Sequence, residues 1–299
     1  LDLSGGYYDA GDHVKFGLPM TSSMTMLGWG VVQYRDAYAA SGLLPQMLES
    51  LKWGTDWIIK AHPSANVFYA QVGNGSADHA FWGAPEVMTM DRPSYRIDAQ
   101  HPGSDVAGEA AAALAAASIV FRPTDSVYAD LLLKHARELY TFADTYRGKY
   151  SDSIPDAASF YNSFSGVSDE LAWGAIWLHK ATGEQAYLTK AQAIYDTSLS
   201  GKQLQWTQSW DDKTYGTAVL LAKATGGQLY KADAERWLDY WTVGNSSGRI
   251  KYTAGGLAFL DTWGSLRYSA NTSFIALIYS DTVADYGGRY HDFAVKQIN

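Results

Sequence analysis

The chain of 299 residues contains no cysteine, which removes any disulfide framework and any thiolate metal site. Basic residues are few: 23 Lys and Arg against 31 Asp and Glu leave a net charge of −8. That balance, with no basic patch, argues against a nucleic-acid partner. No apolar run approaches the length expected of a membrane span, so no membrane partner is expected either. The first residues, Leu1-Asp2-Leu3, lack an initiator Met and read as mid-protein, so the want of a visible signal peptide says little about export.

What the chain holds in excess is aromatic surface, 14% of residues, with 11 Trp and 21 Tyr. Core packing alone rarely selects so many, because each must find a partner for its polar edge. Flat hydroxylated ligands use such a surplus, since the C–H face of a sugar stacks on a ring. A length of 299 residues suffices for one large core or two ordinary ones.

The dominant rhythm is helical. Apolar positions recur at three- and four-residue steps near 21–40, 44–61, 104–122, 126–146, 168–182, 185–199, 213–225, 228–243, 269–284 and 288–299. Breaks such as Ser41-Gly42, Thr182-Gly183 and Thr225-Gly226-Gly227 are short, which favours antiparallel helical hairpins. A weak echo links Trp173-Gly174-Ala175 through Ala181-Thr182-Gly183 with Tyr215-Gly216-Thr217 through Ala224-Thr225-Gly226. Reuse of one hairpin fits a toroid or solenoid of helix pairs. Alanine-rich Ala107 to Ala117 suits a tightly packed inner helix. The longer non-helical stretches are 1–20, 62–103, 147–167, 200–212 and 244–268, and long loops in a compact domain are more often functional than accidental. No linker or low-complexity segment interrupts them, so residues 1–299 read as a single domain.

The first of these loops carries Gly5-Gly6-Tyr7-Tyr8-Asp9-Ala10-Gly11-Asp12-His13. Glycine lets the backbone turn sharply, so that Asp9 and Asp12 can face one cleft. Two such carboxylates, one holding a water while the other tunes it, suit hydrolysis of an unactivated bond. A solvated turn with capping aspartates explains Asp-x-x-Asp equally well.

The run from Asp2-Leu3-Ser4 through Asp9-Ala10-Gly11-Asp12-His13-Val14-Lys15-Phe16 resembles the signature of family 9 glycoside hydrolases, the inverting endoglucanases or cellulases. Tyr69-Ala70-Gln71-Val72-Gly73, Asp78-His79, Trp82-Gly83, Glu86-Val87-Met88, Asp91-Arg92-Pro93, Ser209-Trp210-Asp211-Asp212-Lys213 and Trp263-Gly264-Ser265-Leu266-Arg267-Tyr268 continue the likeness in order. The resemblance implies an all-α (α/α)6 barrel of six hairpins. It implies endo-acting cleavage of β-1,4-glucosidic bonds in cellulose or soluble β-glucans, with secretion or cell-surface display and, in a longer protein, an attached carbohydrate-binding module.

Carried over by position, Asp12 matches the general base and Asp9 its partner in gripping the water. Inversion places base and acid roughly 6.5–9.5 Å apart, so these two form a water-holding pair and not the acid–base pair. His79, Trp82, Tyr161, Trp206, Trp263, Arg267 and Tyr268 match cleft-lining positions; each Trp taken singly is more often core than platform, and placement in loops shared with the family reverses that for Trp206 and Trp263. Ser165, Gly166, Asp169 and Glu170, together with Asp211, resemble the family's calcium site, and oxygen-only donors are what calcium prefers. Ser168-Asp169-Glu170 also suits the opening of a helix. Five further histidines, His62, His101, His135, His179 and His291, show no metal-ligand spacing and read as surface or core residues.

The likeness also has gaps. Family members begin with a further helix and continue past the position of Asn299 into a Pro-His-His-Arg motif and the catalytic glutamate. No glutamate here stands in that context, and Phe164 occupies a position where relatives often have Trp. The barrel is therefore expected to be incomplete in this chain. The general acid is expected beyond its C-terminus, and the stretch alone is expected to be nearly inactive. The alternative is a catalytically silent glucan-binding fragment or scaffold.

Overall fold

Helices start and stop where the apolar period does. The computed structural model describes residues 1–202 and 204–298. It divides into two compact units, Leu1–Lys190 and Ala191–Asn299. The first holds α1 (Gly17–Ala40), α2 (Leu44–Ala61), α3 (Gly75–His79), α4 (Ser104–Phe121), α5 (Ser126–Thr145), α6 (Tyr150–Ser153), α7 (Pro155–Ala158) and α8 (Ser168–Thr182). Helix α9 (Gln185–Ile194) crosses the boundary and runs on into a π-turn, Tyr195–Leu199. The second unit holds α10 (Thr214–Thr225), α11 (Gln228–Trp241), α12 (Ser265–Thr282) and α13 (Arg289–Ile298).

The ends have local causes. The Asp125 carboxylate accepts the Tyr128 N–H at 2.9 Å and caps α5, and the Thr-Gly breaks end α8 and α10 because Gly183 and Gly226 take φ of +74° and +67°. Short helices α3, α6 and α7 fall in stretches expected to be non-helical, and two helix starts differ from expectation by several residues. Helix α12 opens four residues before 269, so Arg267 and Tyr268 lie in its first turn and not in a loop; α1 likewise begins at Gly17. Asn299 of the last expected helix and Gln203 of the 200–212 loop lie outside the described residues.

Within the first unit α4 packs against α1, α2, α5 and α8. Contrary to the expectation that no run comes near a membrane span, its 18 residues are long and apolar enough for one, but 94% of them are buried inside the protein. It is a core helix, and alanine lets its neighbours approach. A Cβ on Gly174 of α8 would lie 3.0 Å from the Gly108 carbonyl of α4. In the second unit α10 pairs with α11 and α12 with α13, with Trp237 and Trp241 buried along α11.

Strand content is small and escaped the sequence reading. In the first unit β1 (Lys15–Phe16), β2 (Phe68–Val72) and β3 (Ser94–Ile97) form an antiparallel sheet in that order, with Lys15 opposite Val72 and Phe68 opposite Ile97. The second unit has one antiparallel pair, β4 (Lys251–Tyr252) and β5 (Ala258–Phe259). The three-stranded sheet matters for position: β1 follows the Asp9–Asp12 turn directly, and β2 delivers the chain to α3.

Candidate active site

The segment before the acid turn is tied down by donors reaching out to its carbonyls. Trp57 Nε1 donates to Leu3 O at 3.1 Å and Trp53 Nε1 to Gly6 O at 2.8 Å. Lys15 Nζ donates to Leu3 O and Gly5 O at 2.8 and 2.6 Å, and burial lowers its pKa. Gly6 is required twice over. Its φ is +66°, and a Cβ there would sit 2.7 Å from Trp57 Cγ.

The turn closes on itself. The Asp9 N–H donates to Val14 O at 3.0 Å, and the Val14 N–H donates back to Asp12 Oδ1 at 3.1 Å, which points the two carboxylates from one loop. Asp9 Oδ2 accepts the Tyr161 hydroxyl at 2.6 Å, and the Tyr161 ring lies 5.0 Å from that of Phe16. Asp9 also lines an open cavity of about 350 Å³ with Tyr8, Phe16 and Met20. The Asp12 side chain is 12% exposed, with Oδ2 4.0 Å from His79 Nε2. His79 Nδ1 donates to Gly75 O at 2.9 Å, which turns Nε2 toward Asp12. Neither carboxylate is sealed in the core.

Three carboxylates to which the sequence analysis gave no role hold this arrangement. Asp78 of α3, nearly fully buried, accepts the His13 N–H at 3.0 Å and so fastens the acid turn to the helix that carries His79. Asp156, in the first turn of α7, accepts from Asn74 Nδ2 at 2.6 Å and the Gly75 N–H at 2.9 Å, fixing the start of α3. Asp105 at the start of α4 accepts the Tyr150 N–H on both oxygens, at 3.0 and 3.1 Å. Tyr150 in turn donates its hydroxyl to Tyr161 O at 2.5 Å. Burial pushes the Asp105 carboxyl up to about 7, against the N–H groups of Val106 and Tyr150 that pull it down. Asp105 and Asp156 carry no local sequence signal, and the Asp78-His79 likeness does not reveal what Asp78 holds, because the partners that matter, Tyr150, Asn74 and His13, are remote along the chain.

The remaining cleft candidates fall into two settings. In the first unit Trp82 is fully exposed beyond α3, and Phe164 is also exposed. In the second unit the Trp206 carbonyl accepts the indole N–H of Trp237 at 3.0 Å and of Trp241 at 2.9 Å, while its own ring is part-exposed. Tyr268 is 7% exposed, its ring 5.3 Å edge-on from that of Trp206 and its hydroxyl held by Arg267 Nη2 at 2.8 Å. Tyr268 therefore backs Trp206 instead of presenting its own face. Trp263 is 83% exposed just before Gly264 and α12.

The segment expected to hold calcium folds around Gly166, at φ +99°. Ser163 Oγ donates to Gly166 O at 2.6 Å, and Ser165 Oγ donates to the Asp169 carboxylate at 3.1 Å. Asp169 and Glu170 are both buried in the first turn of α8. Two adjacent buried carboxylates beside hydroxyl and carbonyl oxygens make an oxygen-only donor set that fits a hard cation. Asp211 belongs to the second unit, its N–H donating to Ser209 Oγ at 3.3 Å.

Comparison with known proteins bears on all of this. The model of the family described as glycosyl hydrolase family 9 matches residues 1–299, across both units. Endoglucanase B of Cellulomonas fimi is 54% identical over 100% of this chain, which spans 29% of that protein's length. The endoglucanase structure from the termite Nasutitermes takasagoensis superimposes with a TM-score of 0.94 at 49% identity, covering 99% of this chain and 67% of that one. Endoglucanase CelQ of Clostridium thermocellum, solved in complex with cellobiose and cellotriose, gives 0.90 at 40% identity, covering 98% of this chain and 48% of that one. The fold class is thus borne out as all-α, of the (α/α)6 barrel type.

Proposed function

The chain belongs to glycosyl hydrolase family 9, and from that premise we propose that the protein carrying it cleaves internal β-1,4-glucosidic bonds of cellulose or soluble β-glucans with inversion. The observation that supports this most directly is the acid turn, where Tyr161 fixes Asp9 and His79 stands beside Asp12. Asp12 is the general base and takes a proton from a water that Asp9 helps to hold. That water attacks the anomeric carbon, and the glycosidic bond breaks as a general-acid glutamate protonates the leaving oxygen. This donor is expected from the part of the relatives' length that the chain does not span. Trp82, Trp206 and Trp263 are the stacking surfaces for glucose rings, and Arg267 and Tyr268 position Trp206. Cellobiose and cellotriose, the sugars bound in the CelQ structure, are short forms of the same substrate. An insoluble polymer cannot enter a cell, so action outside the cell is part of the proposal.

The test is reducing-sugar release from carboxymethylcellulose by the protein carrying this chain, with the anomer of the first product read by NMR. Asp12→Asn is expected to lower turnover about 10³-fold while glucan binding persists. Affinity without product in the unaltered protein would instead favour a silent binding scaffold, and a retained anomer would refute inversion.

Calcium is proposed at Ser165, Gly166, Asp169 and Glu170, the oxygen donors that the first unit brings together. When bound, it neutralises the buried carboxylates and pins the loop that follows Tyr161. EGTA is expected to lower the unfolding temperature by several degrees, and Asp169→Asn to abolish that response.

A further inference from the structure

His62 and His135 stand 73 residues apart, yet their Nδ1 atoms meet at 2.8 Å. His62 is the C-cap of α2, with its N–H donating to Ile59 O at 3.1 Å. His135 lies in α5 with Glu138 one turn further on, and residues three apart share a helix face. One ligand atom from each of the three falls within 4.8 Å of the others, among the described residues the sole grouping of its kind. The frame beneath them is fixed: Tyr128 of α5 donates its hydroxyl to Asp56 Oδ1 at 2.6 Å and pairs with Thr55 Oγ1 at 2.8 Å, both on α2.

As they stand, the two imidazoles share a single proton between facing nitrogens. Burial lowers the proton affinity of both rings, most of all that of His62, so each keeps an unprotonated nitrogen at neutral pH. Two nitrogens bound tetrahedrally at the usual Zn–N length lie about 3.3 Å apart, so half an ångström of opening together with a tilt of roughly 35° in each ring converts the head-on contact into a chelate. Glu138 is engaged only loosely, its Oε1 4.0 Å from the largely exposed Lys134 Nζ, and is able to swing inward.

We propose that His62, His135 and Glu138 form a binding site for a first-row divalent transition metal, Zn²⁺ fitting best, through both Nδ1 atoms and the Glu138 carboxylate. Two imidazoles and a carboxylate are borderline ligands that select such ions over calcium or magnesium. Water fills the fourth position from the open side of His135. Binding removes no net proton from the imidazole pair: the shared hydrogen, carried by His135 Nδ1, moves to Nε2 of that part-exposed ring by exchange with solvent, His62 Nε2 being buried. The ion staples the end of α2 to the middle of α5. None of the three residues belongs to the acid turn, so this is a structural site within the first unit.

The test is calorimetric titration of the chelator-stripped protein with Zn²⁺ in excess Ca²⁺, which occupies the oxygen-only loop, with Co²⁺ absorption reporting coordination geometry. One equivalent binding at micromolar Kd or tighter, a tetrahedral Co²⁺ spectrum and a raised unfolding temperature are expected. His135→Gln and Glu138→Gln, both on a part-exposed helix face, should each weaken Zn²⁺ tenfold or more without lowering the metal-free unfolding temperature by more than a few degrees. Absence of stoichiometric binding, or wild-type affinity in either variant, overturns the site.

Discussion

The acid turn of the first unit and the tryptophan loop of the second solve opposite problems. Around Asp9 and Asp12 hydrogen bonds hold the chain from several sides: carbonyls are bound by Trp53, Trp57 and Lys15, the turn by its own N–H groups, and Asp9 by Tyr161. In the second unit Trp206 is gripped through its backbone while its ring stays part-open, and Trp263 projects with 83% of its surface exposed. Proton transfer tolerates little error in distance, whereas stacking on a sugar face needs area more than exact placement. Backbone order is invested where a proton moves; ring surface is left free where a polymer slides.

That contrast can be broken first at Asp105, which holds the Tyr150 end of the acid-site scaffold. Its folded carboxyl titrates near 7, above the 3.8 of an open chain. A raised acid stabilises the fold fully below about pH 3.8 and loses that contribution as the pH climbs to 7. Between pH 4 and 7 the unaltered protein should therefore lose on the order of 4 kcal/mol, as an upper limit, relative to Asp105→Asn. Parallel urea-unfolding curves for the two across that range would show that the carboxyl is not buried as a neutral acid.

A smaller effect belongs to Tyr161→Phe. Removing one hydrogen bond to a carboxylate should lower kcat roughly tenfold with KM nearly unchanged. A change confined to KM would move Tyr161 from the chemistry to the binding surface. Smallest of all is Trp263→Ala, for which KM on soluble glucan should rise about fivefold while kcat holds. If kcat fell instead, the open loop would share in fixing the reacting atoms and the contrast would fail.

The long helices were readable because apolar residues recur at three- and four-residue steps along them; the 44–61 and 168–182 segments match α2 and α8 residue for residue, whereas the short α3, α6 and α7 show no such run. The first sheet was not, since β1 has two residues and β3 four, too few to show alternation. Asp9, Asp12 and His79 could be named in advance because they sit in motifs, and Tyr161 because it matches a cleft-lining position; the structure brings these four together. The roles of Asp78, Asp105 and Asp156 could not be read, because each works through partners dozens of residues away that share no pattern with it. The same distance hid His62 from His135. Trp82 and Tyr268 look alike in sequence as cleft aromatics, yet one is fully exposed and the other nearly buried. Tertiary packing alone separates them.

Helix α4 sees almost no solvent on any side, and alanine is its commonest residue. An alanine that shrinks there loses only a methyl, and one that grows must displace a packed neighbour. Laboratory evolution of this protein should therefore find its heat-tolerant variants on the outward faces of α2, α5 and α11. The central rod would stay nearly silent in any mutant library, a strip of sequence frozen by lack of room.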